Sequence, residues 1–253
     1  MTTLLIRQFP CLSDNYGFLV QEQNSGETAA IDTPDAEAIL RELKAAGWRL
    51  TQIWNTHWHP DHAGGNARLQ AETGAVVIGP AEVARIGAAP DRVVTEGDRV
   101  ALGAVEARVL DVGGHTLGHI AYVFDSENIA FVGDALFALG CGRLFEGEPA
   151  QMWASLSKLA ALAPETRIYC AHEYTAANAR FALSVDGGNP ALRARAEEVV
   201  ALRAAGRPTV PTTIGRELET NPFLRAPALK AGLGLASDVE AFAELRRRKD
   251  AFR

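Results

Sequence analysis

Thr56-His57-Trp58-His59-Pro60-Asp61-His62 packs three imidazoles and a carboxylate into seven consecutive residues. On extended backbone, residues two apart project to the same side, so His57 and His59 can reach one ion. Asp61 and His62 are neighbours at a helix start, and neighbours diverge, which suits these two to another ion. A strand over 51–55 leads into the run and a helix over 62–73 follows, so the cluster occupies a strand-to-helix loop. Gly64-Gly65 then permits close backbone packing beneath it.

Outward from that loop, the remaining donors lie far downstream. Gly113-Gly-His-Thr-Leu-Gly-His119 puts His115 in a flexible loop after a strand, Val132-Gly-Asp134 sets a carboxylate at the end of a buried strand, and Cys170-Ala-His172 does the same with an imidazole. Neutral imidazole is the commonest metal ligand, and a catalytic zinc takes about three protein ligands. Five histidines with Asp61 and Asp134 exceed one ion's needs. They suit two ions sharing a carboxylate, with a water or hydroxide between them, about 3.5–4 Å apart as in two-metal hydrolases. Taken singly, Asp134 reads as a strand-end cap and His172 as a satisfied polar residue; their company changes the reading. No place in the set is left for His119, which is expected to pack beside the ligands.

The surrounding sequence predicts strands near 3–9, 16–22, 28–32, 75–79, 92–94, 99–101, 104–111, 120–124, 128–133 and 167–171. Helices are expected over 35–46, closed by Gly47, and over 150–162. Mixed strands with helices outside them predict a layered α/β sandwich. After His172 the texture turns to alanine, leucine, arginine and glutamate, predicting helices over 174–186, 190–205 and 237–252 with no further strand. Ser237-Asp-Val-Glu240 is a capping box, and the proline-bearing stretch 207–235 reads as an irregular connection. The expected domains are 1–172, catalytic, and 173–253, helical and substrate-binding.

A net charge of −6 argues against a sequence-independent grip on nucleic acid, which needs a basic surface. A small substrate is expected instead. No long apolar run and no leader-like start mark the chain, so it reads as cytoplasmic, without a membrane partner. Cys11, Cys141 and Cys170 are too few and too scattered for a disulfide framework and read as buried apolar residues. In the basic run 246–249, Arg246 and Lys249 are three apart and can share a helix face, a pair that suits an anionic ligand; a solvated surface run is the competing explanation.

The motifs together resemble the metallo-β-lactamase superfamily, whose T/S-H-x-H-x-D-H signature is Thr56 to His62, and within it the glyoxalase II (hydroxyacylglutathione hydrolase) family. Asp14-Asn-Tyr16, Gly114-His-Thr-Leu-Gly-His119, Gly133-Asp-Ala-Leu-Phe137, Gly140-Cys-Gly-Arg-Leu-Phe-Glu-Gly147, Ala171-His-Glu-Tyr-Thr175 and Arg246-Arg-Arg-Lys-Asp250 carry the narrower likeness. The resemblance implies a four-layer αββα metallo-β-lactamase sandwich followed by a smaller C-terminal helical domain. It implies that His57, His59 and His115 hold one divalent metal, that Asp61, His62 and His172 hold a second, and that Asp134 bridges them. Zinc is the expected metal, with iron or manganese as alternatives. Arg143, Tyr174, Arg246 and Lys249 would contact glutathione, while Phe145 stands where the family often has tyrosine. The implied activity is hydrolysis of S-(2-hydroxyacyl)glutathione thioesters, typically S-lactoylglutathione, by a monomer, with Asp61 and Asp134 as catalytic residues. Three rivals stay open: a mononuclear-iron glutathione persulfide dioxygenase, another hydrolase of the superfamily, and a non-catalytic metal-binding module.

Overall fold

Strands form in the first half where β-branched and aromatic runs are cut by turn residues. The computed structural model describes residues 4–252, and packing divides them into two units, each with its own core. The first unit takes in residues up to Asp111 and then Gly118–Gly133. It holds β1 (Leu4–Cys11), β2 (Asn15–Glu22), β3 (Thr28–Ile31), α1 (Ala36–Ala46), β4 (Gln52–Trp54), α2 (Pro60–Ala63), α3 (Asn66–Thr73), β5 (Val76–Gly79), β6 (Arg92–Val93), β7 (Arg99–Leu102), β8 (Val105–Asp111), β9 (Ile120–Phe124) and β10 (Ile129–Gly133). Strands β1 to β6 form one sheet in sequence order, antiparallel from β1 to β3 and parallel from β3 to β6. Strands β7 to β10 form an antiparallel meander.

One face of the first sheet packs on helices. Asp35 caps α1 by accepting from the amides of Glu37 and Ala38, and Gly47 ends it in the left-handed conformation. The helix buries Ala38, Ile39 and Leu43 in a cluster with Phe9, Leu19, Ile53, Leu69 and Val77. An aromatic seam joins this sheet to the meander. Phe18 meets Phe131 edge-on at 5.5 Å, and Trp54 stacks on Phe124 at 5.7 Å. Large rings bury most area per residue, so this seam carries much of the packing energy.

The helix expected over 62–73 is broken into α2 and α3 at Gly64-Gly65. A Cβ on Gly65 would stand 2.7 Å from the Thr33 carbonyl oxygen, which accepts from the Gly65 amide. The Thr33 amide in turn donates to the His62 carbonyl at 2.7 Å, so the end of β3 is tied directly to the histidine loop.

The second unit takes in Val112–Leu117 and the chain from Asp134 onward. Its elements are β11 (Leu136–Phe137), β12 (Gly140–Cys141), α4 (Pro149–Ala160), β13 (Arg167–Cys170), α5 (Thr175–Asp186), α6 (Pro190–Ala204), β14 (Thr212–Thr213), α7 (Ile214–Thr220), α8 (Ala226–Leu229) and α9 (Asp238–Ala251). The expected capping box at Ser237 and Glu240 is formed. The connection expected to be irregular carries β14, paired with β13, and two short helices. Helix α7 hid from periodicity because its buried face is Ile214, Glu217 and Thr220, mostly polar.

Glu217 is fully buried and ion-paired with buried Arg195. Its Oε2 accepts the Leu139 amide at 2.9 Å, while Asn221 Nδ2 donates to the carbonyls of Phe137 and Gly140. Leu139 has φ 59°. Helix α7 and the residue after it thereby latch the β11–β12 hairpin, a pair absent from the sequence reading. Among the described residues, no helix is long and apolar enough to cross a membrane.

Candidate active site

Most donors of the candidate set sit past the C-terminal end of a strand or in a loop after one, where side chains are freed from the ladder but still anchored by it, while Asp61 and His62 stand on the short helix α2. In the first unit, β4 ends at Trp54 and delivers fully buried Asn55, Thr56 and His57. His57 Nε2 and His59 Nδ1 face each other at 3.0 Å. Both rings therefore lie on the same side of the loop, as their spacing of two on extended backbone predicts. Asp61 and His62 do not diverge as expected: Asp61 Oδ2 lies 3.5 Å from His62 Nε2. Asn15 Nδ2 holds that carboxylate oxygen at 3.1 Å, which gives the Asp14-Asn-Tyr16 motif a task. His119 is buried and stacks on His57, ring centroids 4.6 Å apart.

Sequence reading missed Asp32. It lies immediately after β3 with φ 58° and is buried. Its Oδ1 accepts the Thr56 amide at 2.8 Å, and its Oδ2 accepts the Thr56 hydroxyl at 2.8 Å and His62 Nδ1–H at 2.9 Å. Left-handed backbone at a non-glycine residue costs conformational energy and marks a site the surroundings over-determine. The signal available in sequence was weak: an aspartate before Thr33-Pro34 looks like a strand terminator.

In the second unit, Asp134 follows β10 and spreads its carboxylate between two imidazoles. Its Oδ2 lies 3.3 Å from His115 Nε2 and its Oδ1 3.3 Å from His172 Nε2. His115 Nδ1 is held by the Arg143 carbonyl at 2.8 Å. Gly142 makes this possible, since a Cβ there would stand 2.0 Å from the Asp134 carbonyl oxygen. Tyr174 lies flat on His172, centroids 4.7 Å apart at an interplanar angle of 3°.

The donor chemistry fits divalent cations. His62 and His115 engage Nδ1 with a carboxylate and a carbonyl, which fixes their tautomers and leaves the Nε2 lone pair as the metal-facing donor. Such histidine and aspartate clusters can hold metal ions.

Beside His115 and Asp134, the second unit opens a cavity of about 360 Å³ whose walls include Arg143, Tyr174, Arg246 and Lys249. The basic run splits by face. Arg247 and Arg248 are spent on Glu244 at the surface, whereas Arg246 is buried and donates to the Cys141 carbonyl at 3.0 Å. Burial, reinforced by the Arg246 and Arg180 charges, pulls the Lys249 ammonium down to about 8. Phe145 is exposed and meets His115 edge-on at 5.2 Å. The three cysteines are buried, and burial pushes the Cys141 thiol up to about 11 and those of Cys11 and Cys170 to about 12, so none is a ready thiolate.

Residues 18–172 match the metallo-beta-lactamase superfamily model and residues 173–252 match the model for the hydroxyacylglutathione hydrolase C-terminus. The hydroxyacylglutathione hydrolase of Erythrobacter litoralis (strain HTCC2594) is 61% identical over 251 residues, covering 98% of this chain and 100% of that one. Among solved structures, ETHE1 from Myxococcus xanthus aligns with TM-score 0.69 and 27% identity over 96% of this chain and 90% of that one. TTHA1623 in a di-iron-bound form aligns with TM-score 0.62 and 26% identity over 87% of this chain and all of that one.

Proposed function

The chain belongs to the hydroxyacylglutathione hydrolase family of the metallo-β-lactamase superfamily, and from that premise we propose that it hydrolyses S-(2-hydroxyacyl)glutathione thioesters, S-lactoylglutathione foremost, to glutathione and the 2-hydroxy acid. The observation that carries the reading is Asp134, one oxygen turned to His115 and the other to His172 in the wall of a cation-lined cavity. A carboxylate so divided suits a bridge between two ions.

In this reading His57, His59 and His115 hold one ion and Asp61, His62 and His172 the other, with Asp134 shared. Zinc is the proposed metal; iron or manganese would suit the same donors, and TTHA1623, similar to this chain, is described as di-iron-bound. Divalent ions in such a set supply Lewis acidity, which can bring the pKa of water from 15.7 to about 7. Asp61 Oδ2, steadied by Asn15, orients the attacking water toward the thioester carbonyl and receives its proton. Arg143, Arg246 and Lys249 bind the two glutathione carboxylates, and Tyr174 closes the wall over His172. The leaving thiolate has a conjugate acid of pKa about 8.5, so it departs without a strong general acid. Residues 1–172 would form the catalytic domain and 173–253 the substrate-binding one, in a monomeric cytoplasmic enzyme.

Purified protein given S-lactoylglutathione tests this directly. Thiol release abolished by a chelator and restored by an added divalent metal is expected. Metal-loaded protein that releases no thiol, or that carries about one iron per chain and makes sulfite from glutathione persulfide, would sink the proposal.

A further inference from the structure

Asp250 stands in the last turn of α9, an unfavourable place for a carboxylate because the helix's terminal carbonyls already leave negative partial charge there. Its position four residues after Arg246 is also the weaker order for an acid–base pair one turn apart. Two guanidinium groups offset those costs. Asp250 Oδ1 accepts from Arg246 Nη2 at 2.8 Å and lies 3.5 Å from Arg143 Nε. The two arginines come from distant parts of the second unit's sequence, and both line the cavity.

They are held very differently. Arg246 is only 6% exposed, its Nη1 is fixed by the Cys141 carbonyl, its guanidinium lies over Phe223 at 5.2 Å, and its buried Nε has no hydrogen-bond partner among the described residues. That donor awaits an acceptor. The Arg143 side chain is 60% exposed, and its ion-pair partner is Asp250 at 3.5 Å. A long, exposed side chain loses conformational freedom when a ligand immobilises it, and that loss weakens binding unless it is incurred beforehand.

We propose that Asp250 is a positioning residue for the substrate's carboxylate: one oxygen shared by Arg143 and Arg246 sets both guanidinium groups in the cavity wall before the ligand arrives. Arg143, Arg246 and Lys249 still outnumber the two carboxylates, Asp250 and Asp134, so an incoming anion is attracted. The inference rests on the proposed function, because the anion in question is a carboxylate of a glutathione thioester. Asp250 touches no reacting atom and should act on binding alone.

The test compares the metal-loaded full chain with Asp250→Asn and Asp250→Glu, checking each by thermal melting. With S-lactoylglutathione, Asp250→Asn is expected to raise KM roughly 3–10-fold and hold kcat within about twofold, the pattern of lost uniform binding. The calorimetric Kd for S-hexylglutathione, a thioether that cannot be hydrolysed, should weaken by the same factor, and Asp250→Glu should recover part of it. In an Arg143→Ala background the effect of Asp250→Asn should shrink by at least half, since coupled residues are non-additive. An unchanged or lowered KM, a fall in kcat alone, or full additivity would overturn the role of Asp250. A parent enzyme that neither cleaves the thioester nor binds the thioether would instead overturn the functional reading.

Discussion

Between His57 and His62 four donor side chains come from six consecutive residues, whereas His115, Asp134 and His172 are gathered from a span of nearly sixty. The first group needs only one short loop, tied to β3 through Asp32 and the Thr33 amide. The second depends on separate strand ends, a tight hairpin and the helix that latches it. Local assembly makes a group easy to recognise and hard to displace; dispersed assembly makes it depend on the whole unit's packing. The cavity lies with the dispersed group, so recognition of substrate is exposed to changes far from it.

That contrast can be broken most sharply at Asp134. Asp134→Ala should cut kcat by about 10³-fold, roughly 4 kcal/mol, and lower metal content in parallel; two metals per chain retained in the variant would refute the bridge. Next is Glu217→Ala, which leaves Arg195 buried without its counter-ion and should cost about 3–5 kcal/mol in denaturant unfolding. A loss near zero would mean the dispersed group needs no latch. Asp32→Asn tests the local group: asparagine tolerates the left-handed backbone, so the expected loss is about 10–100-fold in metal affinity from mis-set His62, read by metal titration.

A smaller effect concerns pH. Lys249 carries charge below about 8 and loses it above, because burial disfavours the ammonium. If it binds a carboxylate, kcat/KM for the thioester should fall several-fold as pH rises through that value, and Lys249→Met should flatten this limb of the profile. The sign for stability is opposite. The folded state binds fewer protons than the unfolded chain between about 8 and the ordinary lysine value near 10.4, so Lys249's contribution to stability rises with pH there. Smallest of all, Phe145→Tyr adds a hydroxyl at an exposed ring and should move KM by no more than about twofold.

The same contrast explains what could be read in advance. The loop from Thr56 to His62 declares itself because donor types crowd a short window, and the strands around it carry plain hydrophobic and turn signals. Asp32 stayed hidden because its role lies in side-chain bonds to residues more than twenty positions away. Glu217 stayed hidden because a charged residue reads as surface, and only a buried arginine from another helix makes its burial tolerable. Hairpin β11–β12 has two residues per strand, too few for any periodicity to register.

The latch on that hairpin bears on how far the sequence families can be treated as interchangeable parts. A chain severed after residue 172 would match one family model whole, yet it would strip the Leu139 amide and the Phe137 and Gly140 carbonyls of partners supplied by Glu217 and Asn221. Buried backbone groups left in that state are costly. Swapping the tail between relatives should therefore preserve folding only when hairpin and latch travel together, so the unit of recombination is larger than the unit of homology.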